Sequence, residues 1–304
     1  MRNDGYDRAR VAKYLIWTFA LAYAIQAVVA LLYRNGSKVW QLVTAAMMFV
    51  PTLGVLLCGG KLAGMGWKIQ IRKNIRAILI AWFAPVALTA VGAALYFLAF
   101  PGHFDLSGSY LEASVGAALR EQMAAQGVSY PMYVLAGTLG GITYAPLINA
   151  FFALGEEIGW RGFLYPQLRA RFGRRKAWLL GGAIWGAWHW PLIALIGYEY
   201  GATAGNAAGY ALSPVSGMLL FCVVMVAWGI LHDRLYEKSG SIWVPALLHG
   251  AINAAGTLPL AVCLANTGSA RLLGPAPNGI LAGLPFLIAA IALFVHGEDV
   301  PDVR

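Results

Sequence analysis

Four polar side chains that can do chemistry stand in stretches of sequence that are otherwise apolar enough for a membrane interior. Glu156 lies in FFALGEEIGWRGFL, His189 in AIWGAWHWPL, and His249 and Asn253 in WVPALLHGAIN. Because such groups are costly inside a bilayer, they usually face a bundle interior or a wet cavity and mark function. A carboxylate, two imidazoles and an amide can together activate a water molecule and stabilise an oxyanion. The sequence therefore predicts an intramembrane hydrolase.

The second glutamate of the pair is expected to do a different job from the first. Glu157 and Arg161 are four residues apart, so they share a helix face and predict an ion pair. Adjacent residues of a helix point about 100° apart, so Glu156 projects elsewhere, into the bundle. The pair is predicted to close the fourth membrane span at its cytoplasmic end.

Aromatic and small residues surround the two histidines. Trp185 precedes His189 by four residues, and with Trp188 and Trp190 it is expected to wall off a dry pocket. His249 and Asn253 share one helix face through the same spacing. Glycine and alanine beside them permit close helix approach. All four catalytic candidates are predicted to meet in one cavity, in the cytoplasmic half of the bilayer or near its middle.

The remaining histidines and the cysteines indicate no further chemistry. His103, His232 and His296 are predicted to be solvated or interfacial. The three cysteines lie in apolar spans without CxxC spacing, which favours packing roles over a disulfide framework or a thiolate metal site. They are Cys58, Cys222 and Cys263.

Composition places these residues in a membrane protein. Of the 304 residues, 60% are hydrophobic and only 12% are charged, against about 25% charged in soluble proteins. The mean hydropathy is +0.65. We predict an all-α, polytopic membrane protein: a single integral-membrane domain over 1–304, with one bundle of about eight transmembrane helices and a catalytic core at about 131–263. The predicted spans are about 12–33, 40–60, 77–101, 131–155, 177–197, 211–232, 241–263 and 279–296.

The distribution of positive charge predicts the orientation of the bundle. With eight spans, 18 of the 22 Lys and Arg residues fall on one side, and four fall on the other. The four are Arg34, Lys38, Arg120 and Arg271. Cytoplasmic loops carry the excess of Lys and Arg, so both termini are predicted to be cytoplasmic.

The net charge of +9 does not indicate nucleic-acid binding. The basic residues cluster at helix ends on one side, as anionic lipid headgroups would select, and no nucleic-acid module is visible. Between the third and fourth spans, residues 107–127 have a helical pattern that fits an interfacial or a solvated helix. Residues 197–214 are rich in Gly and Ala and are predicted to form a flexible outer loop.

Three motifs in this order resemble a known family. They are EExxxR as Glu156-Glu157-x3-Arg161, an aromatic residue four before a histidine as Trp185-x3-His189, and HxxxN as His249-x3-Asn253. Together they resemble the CAAX protease and bacteriocin-processing family, also called the Abi family, whose best-known branch is the CAAX prenyl endopeptidase. Trp185 stands where the pattern usually has Phe, which keeps an aromatic wall. The resemblance covers about 131–263.

The resemblance implies a glutamate-dependent intramembrane endopeptidase acting on a membrane-embedded or lipid-associated peptide or protein. Glu156 and His189 would activate water, and His249 and Asn253 would stabilise the oxyanion. Glu157 and Arg161, with Trp185, would support them. A zinc ion is an open question: if a metal is used, its ligands would be Glu156, His189 and His249. Without metal, Glu156 would be the general base, and the sequence slightly favours that scheme.

Two other functions stay open at this stage. One is a non-proteolytic immunity or partner-binding membrane protein that keeps the motifs as a structural polar network. The other is a proton-coupled transporter, because intramembrane Glu and His also mark proton relays. A composition rich in Ala, Gly, Trp and Arg favours a prokaryotic cell membrane. Nothing in the sequence selects for a prenyl chain on the substrate.

Overall fold

A computed structural model describes residues 5–201 and 210–296 of the chain. These residues form fourteen α-helices, and the middle of the predicted outer loop, 202–209, lies outside them. The α-helices are α1 Arg8–Arg34, α2 Val39–Met47, α3 Val50–Leu57, α4 Ile71–Ala99, α5 Ser109–Val115, α6 Ala117–Ala125, α7 Tyr130–Ile142, α8 Ala145–Gly159, α9 Tyr165–Phe172, α10 Arg174–Trp188, α11 Trp190–Ile196, α12 Val215–Ser239, α13 Trp243–Gly256 and α14 Leu284–His296.

Long apolar helices make this an integral membrane protein. Four helices within the described ranges are long and apolar enough to cross a bilayer, and up to six if each of two bent pairs is one span. The four are Arg8–Arg34, Ile71–Ala99, Arg174–Ile196 and Val215–Ser239. The bent pairs are α2 with α3, at 41°, and α7 with the helix Ala145–Phe172, at 52°.

The prediction of about eight spans is therefore confirmed only in part. The predicted seventh span contains α13, which has 14 residues, and the eighth contains α14, which has 13. A 14-residue helix is about 21 Å long, short of a hydrocarbon core of about 30 Å. The apolar sequence of α13 contacts other helices, since most of its residues are buried. Hydropathy does not distinguish an apolar surface that faces protein from one that faces lipid.

The fourth predicted span also differs from the structure. Its first half is α7, and a bend separates it from α8, which begins with a proline in its first turn. The helix then continues past the predicted end at residue 155, through one π-helical turn at Trp160–Leu164, into α9. Glu156 and Glu157 therefore lie near the middle of a long helix and do not close a span. π-Turns often occur at functional sites.

Glycines let the central helices approach closely. A Cβ added to Gly250 of α13 would lie 2.4 Å from the backbone of α8, at Ala150 N and Pro146 O. A Cβ on Gly186 of α10 would lie 2.6 Å from the Cα of Cys222 in α12. The predicted close approach beside His249 is thus present, and α8, α10, α12 and α13 form the centre of the bundle.

The segment between α4 and α7 is helical, as its pattern predicts. It forms α5 and α6, which are separated at Gly116, where φ is +90°. An antiparallel bridge pairs Phe104 with Cys263. The Tyr130 hydroxyl donates to the Ala261 carbonyl. These contacts hold the segment against the residues that follow α13.

Candidate active site

Glu156 is held by two indole rings. Its Oε2 accepts a hydrogen bond from Trp185 Nε1 at 2.7 Å and another from Trp160 Nε1 at 3.1 Å. Trp160 is one turn along the same helix, whereas Trp185 comes from α10. The carboxylate is buried but lines the central cavity. The two indoles orient the side chain and leave its other oxygen without a protein donor among the described residues.

Glu157 points the other way and belongs to a buried ion-pair network. Its Oε1 accepts from Arg161 NH1 at 3.0 Å and from His249 Nδ1 at 2.8 Å. The side chains of Glu157 and Arg161 are both fully buried. The guanidinium also lies over the ring of Trp185, 4.2 Å from its centroid, and near Tyr165. The predicted pairing of Glu157 with Arg161 is confirmed. Glu156 has no ion-pair partner within residues 5–201 and 210–296.

His189 lies where α10 ends and α11 begins. Its Nδ1 donates to the Trp185 carbonyl at 2.9 Å. In the neutral ring this tautomer leaves Nε2 as an acceptor. The ring stacks nearly parallel to Tyr198 and meets Trp188 and Phe221 edge-on. The aromatic wall predicted around this histidine is present for Trp188 and Trp185, while Trp190 is turned away and donates to the Met218 carbonyl.

One central cavity of about 330 Å³ is lined by all four predicted catalytic residues, Glu156, His189, His249 and Asn253. They come from two helices, α8 and α13, and from the α10–α11 junction. Both Glu156 and His189 lie in the part of the chain that the structure describes, and they share no direct hydrogen bond. Glu157 and Arg161 do not line the cavity and lie behind it. The structure thus brings together the residues that the three motifs singled out, with the Glu157–Arg161 pair as their support.

His232 contradicts the prediction that it is solvated or interfacial. It is fully buried in α12, because this helix packs against α10, α13, α14 and the π-helical turn that follows α8. Its Nδ1 donates to the Trp228 carbonyl at 2.6 Å, and its Nε2 has no partner. Its ring lies 5.5 Å from the rings of both Trp185 and His249.

Sequence reasoning missed His232 and Trp160. For Trp160, the four-residue spacing after Glu156 was the available signal. For His232, the adjacent charged residue Asp233 suggested a helix end in water, but that carboxylate is itself buried. It accepts from Arg169 and from the indole of Trp178.

Of the three metal ligands suggested by the sequence, only His249 belongs to the group of potential ligands that cluster among the described residues. Within residues 5–201 and 210–296, one group of three metal-binding side chains has ligand atoms within 4.8 Å of one another: Glu157, His232 and His249. Glu156 and His189 do not belong to it.

The side-chain types and existing bonds of these three residues indicate whether they could hold a metal ion. One carboxylate and two imidazoles match a zinc site in type, and Glu157 Oε2 and His232 Nε2 are buried without partners. However, Glu157 already bonds the Arg161 guanidinium, whose charge would repel a second cation. Moreover, the trio's one cavity-lining member, His249, already uses Nδ1 to bond Glu157. The arrangement fits an internal ion-pair network better than a metal centre.

Comparison with known proteins agrees with the motifs. Residues 138–255 match the family model described as type II CAAX prenyl endopeptidase Rce1-like. This stretch of the chain is similar to Rce1-like domains. The matched range contains every predicted catalytic and supporting residue, from Glu156 to Asn253. The resemblance drawn from the three motifs is thereby confirmed.

The chain is also similar to a curated protein. The chain is 31% identical over 99 residues to CAAX prenyl protease 2 of Methanococcus maripaludis. The match covers 32% of this chain and 34% of the relative. The chain therefore aligns with about a third of the curated relative's length.

Proposed function

We propose that the chain is an intramembrane endopeptidase that hydrolyses a peptide bond of a membrane-associated protein or peptide. The observation that carries the proposal is the separation of the two glutamates. Glu157 is neutralised by Arg161 behind the cavity, and Glu156 faces the cavity with no cation beside it. A carboxylate held in that way is available to take a proton from water. The Rce1-like match and the name of the curated relative point to the same chemistry.

The residues around the cavity divide the reaction between them. Glu156 would accept a proton from the attacking water and pass it to the leaving amine as the carbon–nitrogen bond breaks. The Nε2 acceptor of His189 would orient the same water. The amide of Asn253 would donate to the oxyanion that forms on the scissile carbonyl. His249 lines the cavity one helical turn before Asn253, and its bond to Glu157 would fix the ring beside the same oxyanion. Preorganised groups of this kind stabilise the tetrahedral intermediate without reorganisation cost.

The proposal is tested by comparing membrane peptides from cells that make the wild-type chain and Glu156→Gln. Glutamine keeps the size of the side chain and an oxygen for the two indoles, but it cannot serve as the base. Loss of a general base lowers the rate by about 10²–10⁴-fold, so peptides cleaved by the wild type should persist uncut. Glu112→Gln is the control, since Glu112 is exposed and pairs with Arg120 on the surface. Unchanged cleavage in Glu156→Gln would contradict the proposal and favour an immunity or partner-binding role.

Metal dependence is tested separately on the purified protein with a cleaved peptide as substrate. The Glu157–Arg161 pair leads us to expect cleavage that survives a strong chelator. Activity abolished by chelator and restored by Zn²⁺ would overturn the metal-free scheme and leave the protease assignment intact.

A further inference from the structure

The positive charge predicted for one side of the membrane is gathered at one end of the bundle. We call this the basic end and define it by the start of α1, residues 61–76, residues 169–176 and the end of α12. Contacts join these pieces. Asp7 N donates to Gln167 Oε1 at 2.8 Å, Arg169 pairs with Asp233 at 2.7 Å, and Asn74 Nδ2 donates to the Ser239 carbonyl at 3.1 Å.

The other ends of the same helices form the opposite end of the bundle. It consists of residues 34–45, 101–130, 197–201 and 257–280. The Tyr200 hydroxyl donates to the Asn278 carbonyl at 3.0 Å, and Arg271 lies over the ring of Tyr110. The four Lys and Arg residues that the sequence places on the minority side all fall in these segments.

The cavity that contains Glu156 extends towards the opposite end. Its outer lining comes from the start of α2, the turn after α11, the end of α13 and the residues before α14. Gln41 and Thr257 in this lining are exposed, and Tyr198 and Glu199 are half-buried. No lining residue belongs to the basic end.

The way from the cavity to the basic end is closed by packed side chains. Along the helix from Glu157 to the basic end come Arg161, Tyr165 and Arg169, and the first two are fully buried. Along α10 from His189 come Trp185 and Trp178, each 1% exposed. Trp178 in turn donates to Asp233, the partner of Arg169. Water and substrate therefore have no passage on that side.

We infer that the cavity opens on the extracytoplasmic side of the membrane, so that its substrate is a peptide segment presented at the outer surface or in the outer leaflet. Lys and Arg at helix ends mark the cytoplasmic side, and the cavity points away from them. The statement about the substrate rests on the proposed function. The direction of the opening does not depend on catalysis. The sequence predicts a cavity in the cytoplasmic half of the bilayer or near its middle, and the inferred opening lies on the other side.

Cysteine accessibility tests the direction of the opening. In a chain whose three cysteines are replaced by alanine, single cysteines are introduced at Gln41 on the rim, Thr44 in the cavity wall, or Lys68 at the basic end, where Lys68 is exposed. Spheroplasts of a bacterial host are treated with a membrane-impermeant methanethiosulfonate, before and after permeabilisation. We expect Gln41→Cys and Thr44→Cys to react equally in both conditions, and Lys68→Cys to react only after permeabilisation.

Each other pattern overturns the inference. If Lys68→Cys reacts in intact spheroplasts and Gln41→Cys does not, the cavity opens to the cytoplasm. If Gln41→Cys reacts and Thr44→Cys stays unlabelled, the cavity is closed to the outer side. The same labelling is repeated in chains that also carry Glu156→Gln. This measures the direction of the opening in the absence of catalysis. If the cysteine-free chain does not accumulate, the substitutions are made in the wild-type chain and labelled sites are located by peptide mapping.

Discussion

At the residue scale, two neighbouring glutamates are given different chemistry by their partners. Both are buried in an apolar environment, yet Glu157 has Arg161 and His249 on one oxygen, while Glu156 has only two indole donors. The divergence follows from the turn of about 100° between adjacent helical residues. One carboxylate therefore holds the site together, and the other faces the cavity.

The supporting role of Glu157 predicts a loss of stability. Glu157→Gln would leave the guanidinium of Arg161, which is 0% exposed, without its counter-charge. Breaking a buried pair in this way costs about 3–5 kcal/mol, which should appear as a lower thermal midpoint of the protein in detergent. Glu112→Gln breaks an exposed pair and should cost about 1 kcal/mol or less. Equal midpoints for the two variants would contradict a structural role for Glu157.

The role of Asn253 predicts a loss of rate with little loss of stability. Its side chain lines the cavity, so Asn253→Ala removes a donor for the oxyanion without opening a packed core. Removal of one such donor lowers kcat by about 10²–10³-fold. The check is the cleavage rate of a membrane peptide at saturating concentration, with Asn266→Ala, at an exposed position, as the control. An effect confined to KM would mean that Asn253 binds substrate in its ground state only.

At the element scale, the position of α13 against α8 places His249 beside Glu157. The two helices come from distant parts of the chain, and Gly250 lets their backbones approach. A hydrogen bond of 2.8 Å between side chains 92 residues apart depends on that approach. Helix packing is thus what completes the network.

Substitution on α13 tests this packing with a control on the same helix. In Gly250→Ala the new methyl would lie 2.4 Å from backbone atoms of α8, so the helices must move apart. Overpacking of this kind costs about 1–3 kcal/mol. In Gly256→Ala the methyl meets Pro277 at 3.6 Å, an ordinary contact. We expect a lower thermal midpoint for Gly250→Ala only, and equal midpoints would contradict the tight packing.

At the scale of the whole molecule, the start of the first described helix and the end of the last lie at the same end of the bundle. Near the start of α1, Tyr6 contacts Phe172 at the end of α9, and Arg175 beside it donates to the Phe294 carbonyl near the end of α14. Because Lys and Arg gather there, we predict that both termini are cytoplasmic.

Reporter fusions test this orientation. A reporter that is active only in the cytoplasm should be active when fused before residue 1 or after residue 304. It should be inactive when inserted at Gly36, in the exposed turn between α1 and α2. Opposite outcomes for the two termini would contradict an arrangement in which both chain ends lie at the basic end.

Much of the site could be predicted from the sequence because its spacings are local. Pairs four residues apart share a helix face in any fold, so the pairing of Glu157 with Arg161 and the common helix of His249 and Asn253 needed only helical geometry. Composition determined the helical membrane architecture, since a backbone in hydrocarbon must satisfy its own hydrogen bonds. The three motifs were enough to indicate the family.

Only the tertiary structure decided which residues complete the network and which apolar segments meet lipid. His232 joins Glu157 and His249 through contacts between helices far apart in sequence, and no local spacing encodes such contacts. The apolar stretch of α13 resembles a membrane span in sequence, but it is buried against other helices. Hydropathy measures how unfavourable water is for a side chain and does not tell whether lipid or protein replaces the water. The direction in which the cavity opens has the same origin: it depends on how the aromatic side chains of several helices pack between the site and the basic end.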